Sequence, residues 1–155
     1  EKYDVLAYHI SSAAIARYHD LHDGKVQMIN GDLMNIALAD RSVDGLYNLG
    51  VMEHFRINEI KHLLDEFHRI LKPGGKMILF WPPKFGLSVG VLKFVHFFFN
   101  VLLQRRVHLH PPEPSLLTSR SQAEDLLEAH GFELVDYYFG VRDMFTQAVV
   151  VGRPK

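Results

Sequence analysis

The segment 60–81 constrains the fold more than any other part of the chain. Apolar residues recur in its first half at the spacings of one helix face: Ile60, Leu63, Leu64, Phe67 and Leu71. Asn58 is expected to cap this helix, and the Lys-Pro-Gly-Gly turn at 72–75 to end it, because Pro cannot continue a helix. The next run, 76–81, is almost entirely apolar, as in a parallel strand that is covered on both faces. A helix leading into a buried strand is typical of an α/β domain.

Strands and helices are predicted to alternate along the rest of the chain. Further strands are expected at 5–8, 26–29, 43–48, 132–139 and 146–151. Helices are expected where Ser or Thr precedes an apolar repeat: from Ser11 or Ser12 to about His19, and from Thr118, Ser119 or Ser121 to His130 and Gly131. A short loop joins the last two strands, which are therefore expected to form an antiparallel hairpin. The pattern predicts a doubly wound, mostly parallel sheet with this hairpin at its C-terminal end.

Composition narrows the class of protein. The 155 residues suffice for a single core, and 48% hydrophobic and 23% charged residues are ordinary for a globular domain. A formal net charge of -1 gives no electrostatic basis for nucleic acid as a partner. Cys is absent, which excludes disulfides and thiolate metal sites and favours a cytoplasmic location. His108 and His110 lie close together, but no third ligand follows at a suitable spacing, so we expect no metal site.

Four stretches stand in a characteristic order: YHISSAAIARY, INGDLMNIALADRSVDGLYNLGVMEHF, EFHRILKPGGKMILF, and EDLLEAHGFELVDYYFG followed by AVVVGRP. Their order and spacing resemble the class I S-adenosylmethionine-dependent methyltransferases, especially the small-molecule branch. The resemblance implies one Rossmann-like domain over 1–155, with 85–117 as a variable lid or interface insert. It also implies methyl transfer from S-adenosylmethionine to an O, N or C nucleophile, with S-adenosylhomocysteine as product. The acceptor is expected to be a small molecule or lipid-like, and bulky or apolar.

The beginning of the chain departs from the family pattern. In that family a central first strand ends in a Gly-rich loop that contacts the cofactor, and no such stretch occurs in the sequence. The resemblance implies that the missing strand would lie between the strands predicted at 5–8 and 43–48. We therefore expect an N-terminally incomplete domain that binds the cofactor poorly as given. A rearranged sheet, completed by a second chain, is the alternative.

The resemblance assigns cofactor contacts to the ends of the first two predicted strands. Asp32 matches the acid that binds the adenine amino group, with Gly31 and Leu33 as its neighbours in the contact. His9 occupies the position of the family's ribose-binding acid. A neutral imidazole makes a single hydrogen bond there, whereas a carboxylate offers paired acceptors. For Asp32, an ordinary turn residue is the competing interpretation.

A second group of candidate residues follows the strand predicted at 43–48. The resemblance places Asn48, Leu49 and Gly50 beside the sulfonium of the cofactor, where a Gly allows close approach of the backbone. His54 is a candidate proton acceptor for an O–H or N–H nucleophile, since imidazole titrates in the right range. A structural or capping role for His54 is an equal alternative.

The segment 87–106 predicts a helix with an unusual surface, over 87–103. Lys93, His96, Asn100 and Gln104 fall on one narrow polar stripe, and much of the remaining surface is Phe. Its apolar core is too short and too interrupted for a transmembrane segment. We expect a lid, a homodimer contact, or a helix that rests on a membrane surface.

Two other functions stay open at the level of the sequence. One is a catalytically inactive, methyltransferase-like binding or scaffold subunit, which His9 in place of an acid would allow. The other is a nucleotide-binding oxidoreductase of related fold. The antiparallel last strand and the turn at 72–75 argue against the oxidoreductase.

Overall fold

The computed structural model describes residues 4–9, 11–22, 26–99 and 114–155. Its strands are β1 (Leu6–His9), β2 (Gln27–Asn30), β3 (Val43–Leu49), β4 (Leu71–Trp81), β5 (Phe132–Tyr138) and β6 (Ala148–Pro154). Its α-helices are α1 (Ser12–His22), α2 (Ile57–Ile70), α3 (Leu87–Phe97) and α4 (Arg120–Ala129). Two single-turn 3-10 helices lie at Met52–His54 and Val141–Asp143. The predicted alternation of strands and helices is confirmed.

The chain forms two compact units, 1–39 and 40–155. In the first unit, β1 and β2 pair in parallel, from Leu6 opposite Gln27 to His9 opposite Asn30. Helix α1 is the crossover between these two strands. A parallel pair needs such a crossover, because a tight turn can join only antiparallel strands.

The second unit holds a four-stranded sheet in the order β3-β4-β6-β5. Strands β3 and β4 are parallel, whereas β6 runs antiparallel to both β4 and β5. The predicted parallel sheet with an antiparallel C-terminal hairpin is therefore confirmed. Among the described residues, β1 and β3 each pair along one edge only.

The core of the second unit lies on one face of this sheet. Along β4 the side chains of Met77, Leu79 and Trp81 are buried, whereas Ile78 and Phe80 are half-buried. Helices α2 and α4 bury one face each. The buried face of α2 consists of Ile60, Leu63, Leu64, Phe67 and Ile70. That of α4 includes Ala123 and Leu127. Burial of each large apolar side chain contributes about 1.5–3 kcal/mol, so these faces fix the helices to the unit.

The start of α2 differs from the prediction. The cap is Arg56 rather than Asn58, because the Glu59 carboxylate accepts the Arg56 backbone N–H at 2.6 Å. The helix therefore begins at Ile57. This bond satisfies a backbone donor at the start of the helix that has no partner within the helix.

The end of α2 also differs. The helix was expected to reach Leu71 and to stop in the turn at 72–75, but Leu71 is already extended and pairs with Val43. Residues 72–75 lie inside β4, where the register shifts between Val43 and Gly45. Gly74 has φ +81°, which accommodates this bulge. The end of α2 is therefore set by pairing with β3, which local helix propensity does not indicate.

In the part of the chain that the structure describes, no helix has the length and apolar character that crossing a bilayer requires. The predicted 87–103 helix is observed as α3, which ends at Phe97. Residues 100–103 lie outside the described ranges, and so do Gln104 and most of the predicted connector at 105–114.

Candidate functional site at the carboxyl ends of the strands

In the second unit, the predicted residues Asn48, Leu49 and Gly50 lie at the carboxyl end of β3. Gly50 has φ +69°, a conformation that other residues rarely adopt. The Leu49 side chain is 65% exposed and is therefore accessible to a ligand. Ligands of open α/β sheets bind at this end of the strands.

The Asn48 amide is unusual in its surroundings. Both Nδ2 and Oδ1 are buried, and neither has a hydrogen-bond partner among the residues that the structure describes. A buried amide without a partner carries a cost of about 1–3 kcal/mol, so such groups call for an explanation such as a ligand or an ordered water.

Glu53 and His54 follow in the 3-10 helix at Met52–His54. His54 is exposed, whereas Glu53 is 4% exposed. Glu53 Oε1 would lie 3.6 Å from a Cβ atom placed on Gly50. No pattern in the sequence indicates that this Glu is buried beside the backbone of Gly50.

The segment 114–118 is fixed to the same edge of the sheet. The Trp81 indole Nε1–H donates to the Ser115 carbonyl at 2.6 Å, and the Ser115 N–H donates to the Glu53 carbonyl at 3.4 Å. The Lys84 N–H donates to the Leu117 carbonyl at 2.8 Å. Both ends of the insert at 85–117 are therefore anchored where β3 and β4 end.

In the first unit, His9 lies at the end of β1 and is exposed. Its Nδ1 accepts the Ser11 backbone N–H at 2.9 Å. Since a backbone N–H can only donate, the neutral imidazole carries its hydrogen on Nε2. His9 in this form offers one donor to a ligand, whereas an acid at this position would accept.

Gly31, Asp32 and Leu33 follow β2 in the same unit. The Gly31 N–H donates to the His9 carbonyl at 3.2 Å, which joins the two strand ends. Asp32 is exposed, and its Oδ1 accepts the Met34 N–H at 2.9 Å, as in an Asx turn. This bond fixes the orientation of the carboxylate.

The Tyr8 ring, which sequence reasoning did not single out, covers Gly31. A Cβ atom at residue 31 would overlap the Tyr8 phenol. The Tyr8 hydroxyl accepts the Ala37 N–H at 3.1 Å, which holds the ring in place. A side chain at residue 31 would therefore require the Tyr8 ring to move.

Other polar residues near the strands have structural partners or lie outside the described residues. The Asp40 carboxylate forms an ion pair with the Arg69 guanidinium at 2.8 Å, and the Asp44 carboxylate forms one with the Lys72 ammonium at 2.8 Å. Glu66 and Asp40 raise the pKa of the Arg69 guanidinium through their hydrogen bonds. Within the described ranges, no three His, Asp or Glu residues cluster as a metal site would require, and the pair of His residues at 108 and 110 lies outside those ranges.

A parallel sheet flanked by helices, an antiparallel last strand inserted beside β4, and polar residues at the carboxyl ends of the strands define a class I methyltransferase fold. The model of the family described as "Methyltransferase domain" matches residues 1–79. This match covers more than half of the 155 residues, so the chain belongs to the methyltransferase domain family. The resemblance read from the sequence is confirmed, and S-adenosylmethionine is the methyl donor of this class.

Solved structures agree with this assignment at the level of the fold. The chain is similar to a SAM-dependent methyltransferase from Methanosarcina mazei, with a TM-score of 0.72, 16% identity, and 97% of this chain and 81% of that chain covered. It is similar to the PH0226 protein from Pyrococcus horikoshii OT3, with a TM-score of 0.68, 18% identity, and 99% and 72% covered.

A third structure is that of 1,6-didemethyltoxoflavin-N1-methyltransferase from Burkholderia thailandensis, which holds its substrate and S-adenosylhomocysteine. Here the TM-score is 0.66 and the identity 13%, and 99% of this chain and 62% of that chain are covered. No curated protein matches the chain.

Proposed function

We propose that this chain takes part in S-adenosylmethionine-dependent methyl transfer to a small-molecule or lipid-like acceptor that is bulky or apolar. The observation that carries the proposal is the family match over 1–79, which includes every candidate site residue. The solved methyltransferase with bound 1,6-didemethyltoxoflavin supports a small-molecule acceptor. When bound, S-adenosylmethionine supplies a methyl group activated by its sulfonium.

The residues at the end of β3 fit a cofactor. Gly50 has no side chain and exposes its backbone in a left-handed conformation. Asn48 supplies a buried amide donor and acceptor that lack partners among the described residues. In this proposal Asn48, Leu49 and Gly50 contact the part of the cofactor next to the sulfonium.

The residues of the first unit would hold the adenosine. Asp32 has an exposed carboxylate in a fixed turn, so it can accept a hydrogen bond from the adenine amino group. Gly31 and Leu33 would flank the same contact. His9 would donate from Nε2–H to a ribose hydroxyl, so ribose recognition in this chain differs from the carboxylate pattern of the family.

His54 would accept the proton that an O–H or N–H nucleophile loses. It is exposed at the end of the short helix that follows Gly50, within four residues of the proposed cofactor contact. Imidazole is a suitable base near neutral pH.

We further propose one methyltransferase-like domain over 1–155, with 85–117 as its acceptor-specific insert, and a cytoplasmic location consistent with the absence of Cys.

The test is calorimetric titration of the full-length protein with S-adenosylmethionine, using Asp32→Asn and a matched control, Asp44→Asn. Asn preserves the Asx turn, because its carbonyl can still accept the Met34 N–H. We expect Asp32→Asn to weaken binding about tenfold, the value of one hydrogen bond to a charged group. Asp44→Asn, which changes an exposed acid paired with Lys72, should leave binding unchanged. Equal affinities for both variants would contradict the assignment of Asp32.

A further inference from the structure

The second unit carries a group of exposed apolar side chains, which we call the aromatic patch. It is formed by α3, the turn before it and the 139–145 loop. Its exposed members include Phe85, Leu87, Phe94, Phe97, Val141 and Met144. Soluble proteins rarely leave so many large apolar side chains together in water, and such patches mark interaction sites.

Direct contacts join the parts of the aromatic patch. The Phe85 and Phe139 rings meet edge-to-face at 5.1 Å, and the Phe139 and Phe145 rings at 5.6 Å. The Leu87 backbone N–H donates to the Phe145 carbonyl at 2.7 Å. The start of α3 and the loop therefore form one surface.

Helix α3 presents its apolar side outward. Leu87, Val91 and Phe94 are spaced four and three residues apart, so they lie along one side of the helix, and Phe98 continues the row. Phe94 and Phe98 stack at 6.5 Å. Val89 is 6% exposed and anchors the helix to the unit. The exposed row is thus held in place by a buried contact.

The loop holds its apolar side chains outward at a conformational cost. Met144 and Phe145 have φ +53° and +57°, which is uncommon for two bulky residues in succession. Since Met144 is 70% exposed, burial of its own side chain within the described unit does not offset this cost.

The charge around the aromatic patch is positive. Lys84 and Arg142 are exposed at its edges, and Arg142 also lies over the Tyr138 ring at 6.0 Å. In sequence, 82–99 and 139–147 contain three Lys or Arg residues and a single acid, Asp143, in a chain of net charge -1. Acidic residues are therefore depleted, and the net charge is positive, in the segments that carry the exposed apolar side chains.

We infer that the aromatic patch docks the protein on the surface of an anionic phospholipid bilayer. Phe, Leu and Val side chains would enter the boundary between headgroups and acyl chains, and Lys84 and Arg142 would contact lipid phosphates. Pairing of two copies through this surface is disfavoured, because it would bring like charges together. The inference is independent of the cofactor site.

Co-sedimentation with vesicles of phosphatidylcholine and phosphatidylglycerol in equal parts tests this inference. We expect the full-length protein to bind these vesicles. Phe94→Ser should weaken binding about tenfold, because the variant lacks the ring that would be transferred from water into the bilayer. Lys84→Gln should weaken binding about fivefold on these vesicles and leave binding to pure phosphatidylcholine unchanged. Val135→Ser, at an exposed apolar residue on β5, is the matched control and should bind as the unmodified protein does.

The variants are expected to stay folded, because Phe94 is largely exposed, and circular dichroism checks this. Failure of the unmodified protein to sediment with anionic vesicles would overturn the inference. Equal losses for Phe94→Ser and Val135→Ser would overturn it as well. A dimer in light scattering that Phe94→Ser dissociates would assign the patch to a second copy instead.

Discussion

Substitution of Gly50 tests whether the cofactor contacts the backbone at the end of β3, as proposed. Gly74 provides a matched control. Gly50 and Gly74 both have positive φ, at +69° and +81°. An added Cβ would lie 3.6 Å from Glu53 Oε1 at residue 50 and would meet nothing within 4 Å at residue 74. Each position therefore has room for a methyl group, and the two substitutions to Ala differ only in their place in the fold.

The expected magnitudes follow from this geometry. Forcing Ala into the left-handed region costs about 1–2 kcal/mol, so Gly50→Ala and Gly74→Ala should lower the free energy of unfolding by similar amounts. No clash within the protein adds to that figure. In the proposed complex, however, a methyl group at residue 50 would separate the Gly50 backbone from the cofactor. Affinity for S-adenosylmethionine should fall by about tenfold or more, equivalent to about 1.4 kcal/mol.

Two measurements on the same samples separate these effects. Urea unfolding reports the free energy of unfolding, and calorimetric titration with S-adenosylmethionine reports affinity. We expect equal destabilisation of the two variants and a loss of affinity in Gly50→Ala alone. If both variants bind S-adenosylmethionine as well as the unmodified protein does, the backbone at Gly50 is not a cofactor contact and the reasoning fails.

Two further predictions concern stability. Trp81→Phe keeps the buried ring but leaves the Ser115 carbonyl without its donor, so urea unfolding should show a loss of about 1–3 kcal/mol, and an unchanged midpoint would contradict the role of this bond. The Arg153 guanidinium lowers the pKa of the Glu133 carboxyl below its usual 4.5, mainly through their hydrogen bond. Because the pKa is lower in the folded state, the interaction stabilises the fold at pH values above the unfolded-state pKa. This stabilisation is lost as the pH falls through the folded-state pKa. Any difference in the free energy of unfolding between the unmodified protein and Glu133→Gln should therefore be present at neutral pH and shrink as the pH falls below 4.5; a difference that grows in acid would refute this.

The order of the elements was predictable because apolar periodicity reports it directly. The buried face of α2 and the hairpin of β5 and β6 follow from the spacing of Leu, Phe and Val residues along the sequence. The two ends of α2 were not predictable. Its start depends on a side chain–backbone bond of Glu59, and its end on pairing of Leu71 with Val43, far away in the sequence.

The candidate site was also predictable only in part. Sequence alone located His9, Asp32 and Gly50 at the ends of strands, because strand ends follow from local patterns and family resemblance. It did not report that His9 accepts the Ser11 N–H, which leaves Nε2–H as its donor. Nor did it indicate that Tyr8 covers Gly31, since such contacts depend on packing across strands.

The most direct test of the proposed function is calorimetric titration of the unmodified full-length protein with S-adenosylhomocysteine. We predict saturable binding with one site per chain, which S-adenosylmethionine displaces by competition. Absence of binding by an intact, folded protein would contradict the proposal that this methyltransferase domain uses S-adenosylmethionine.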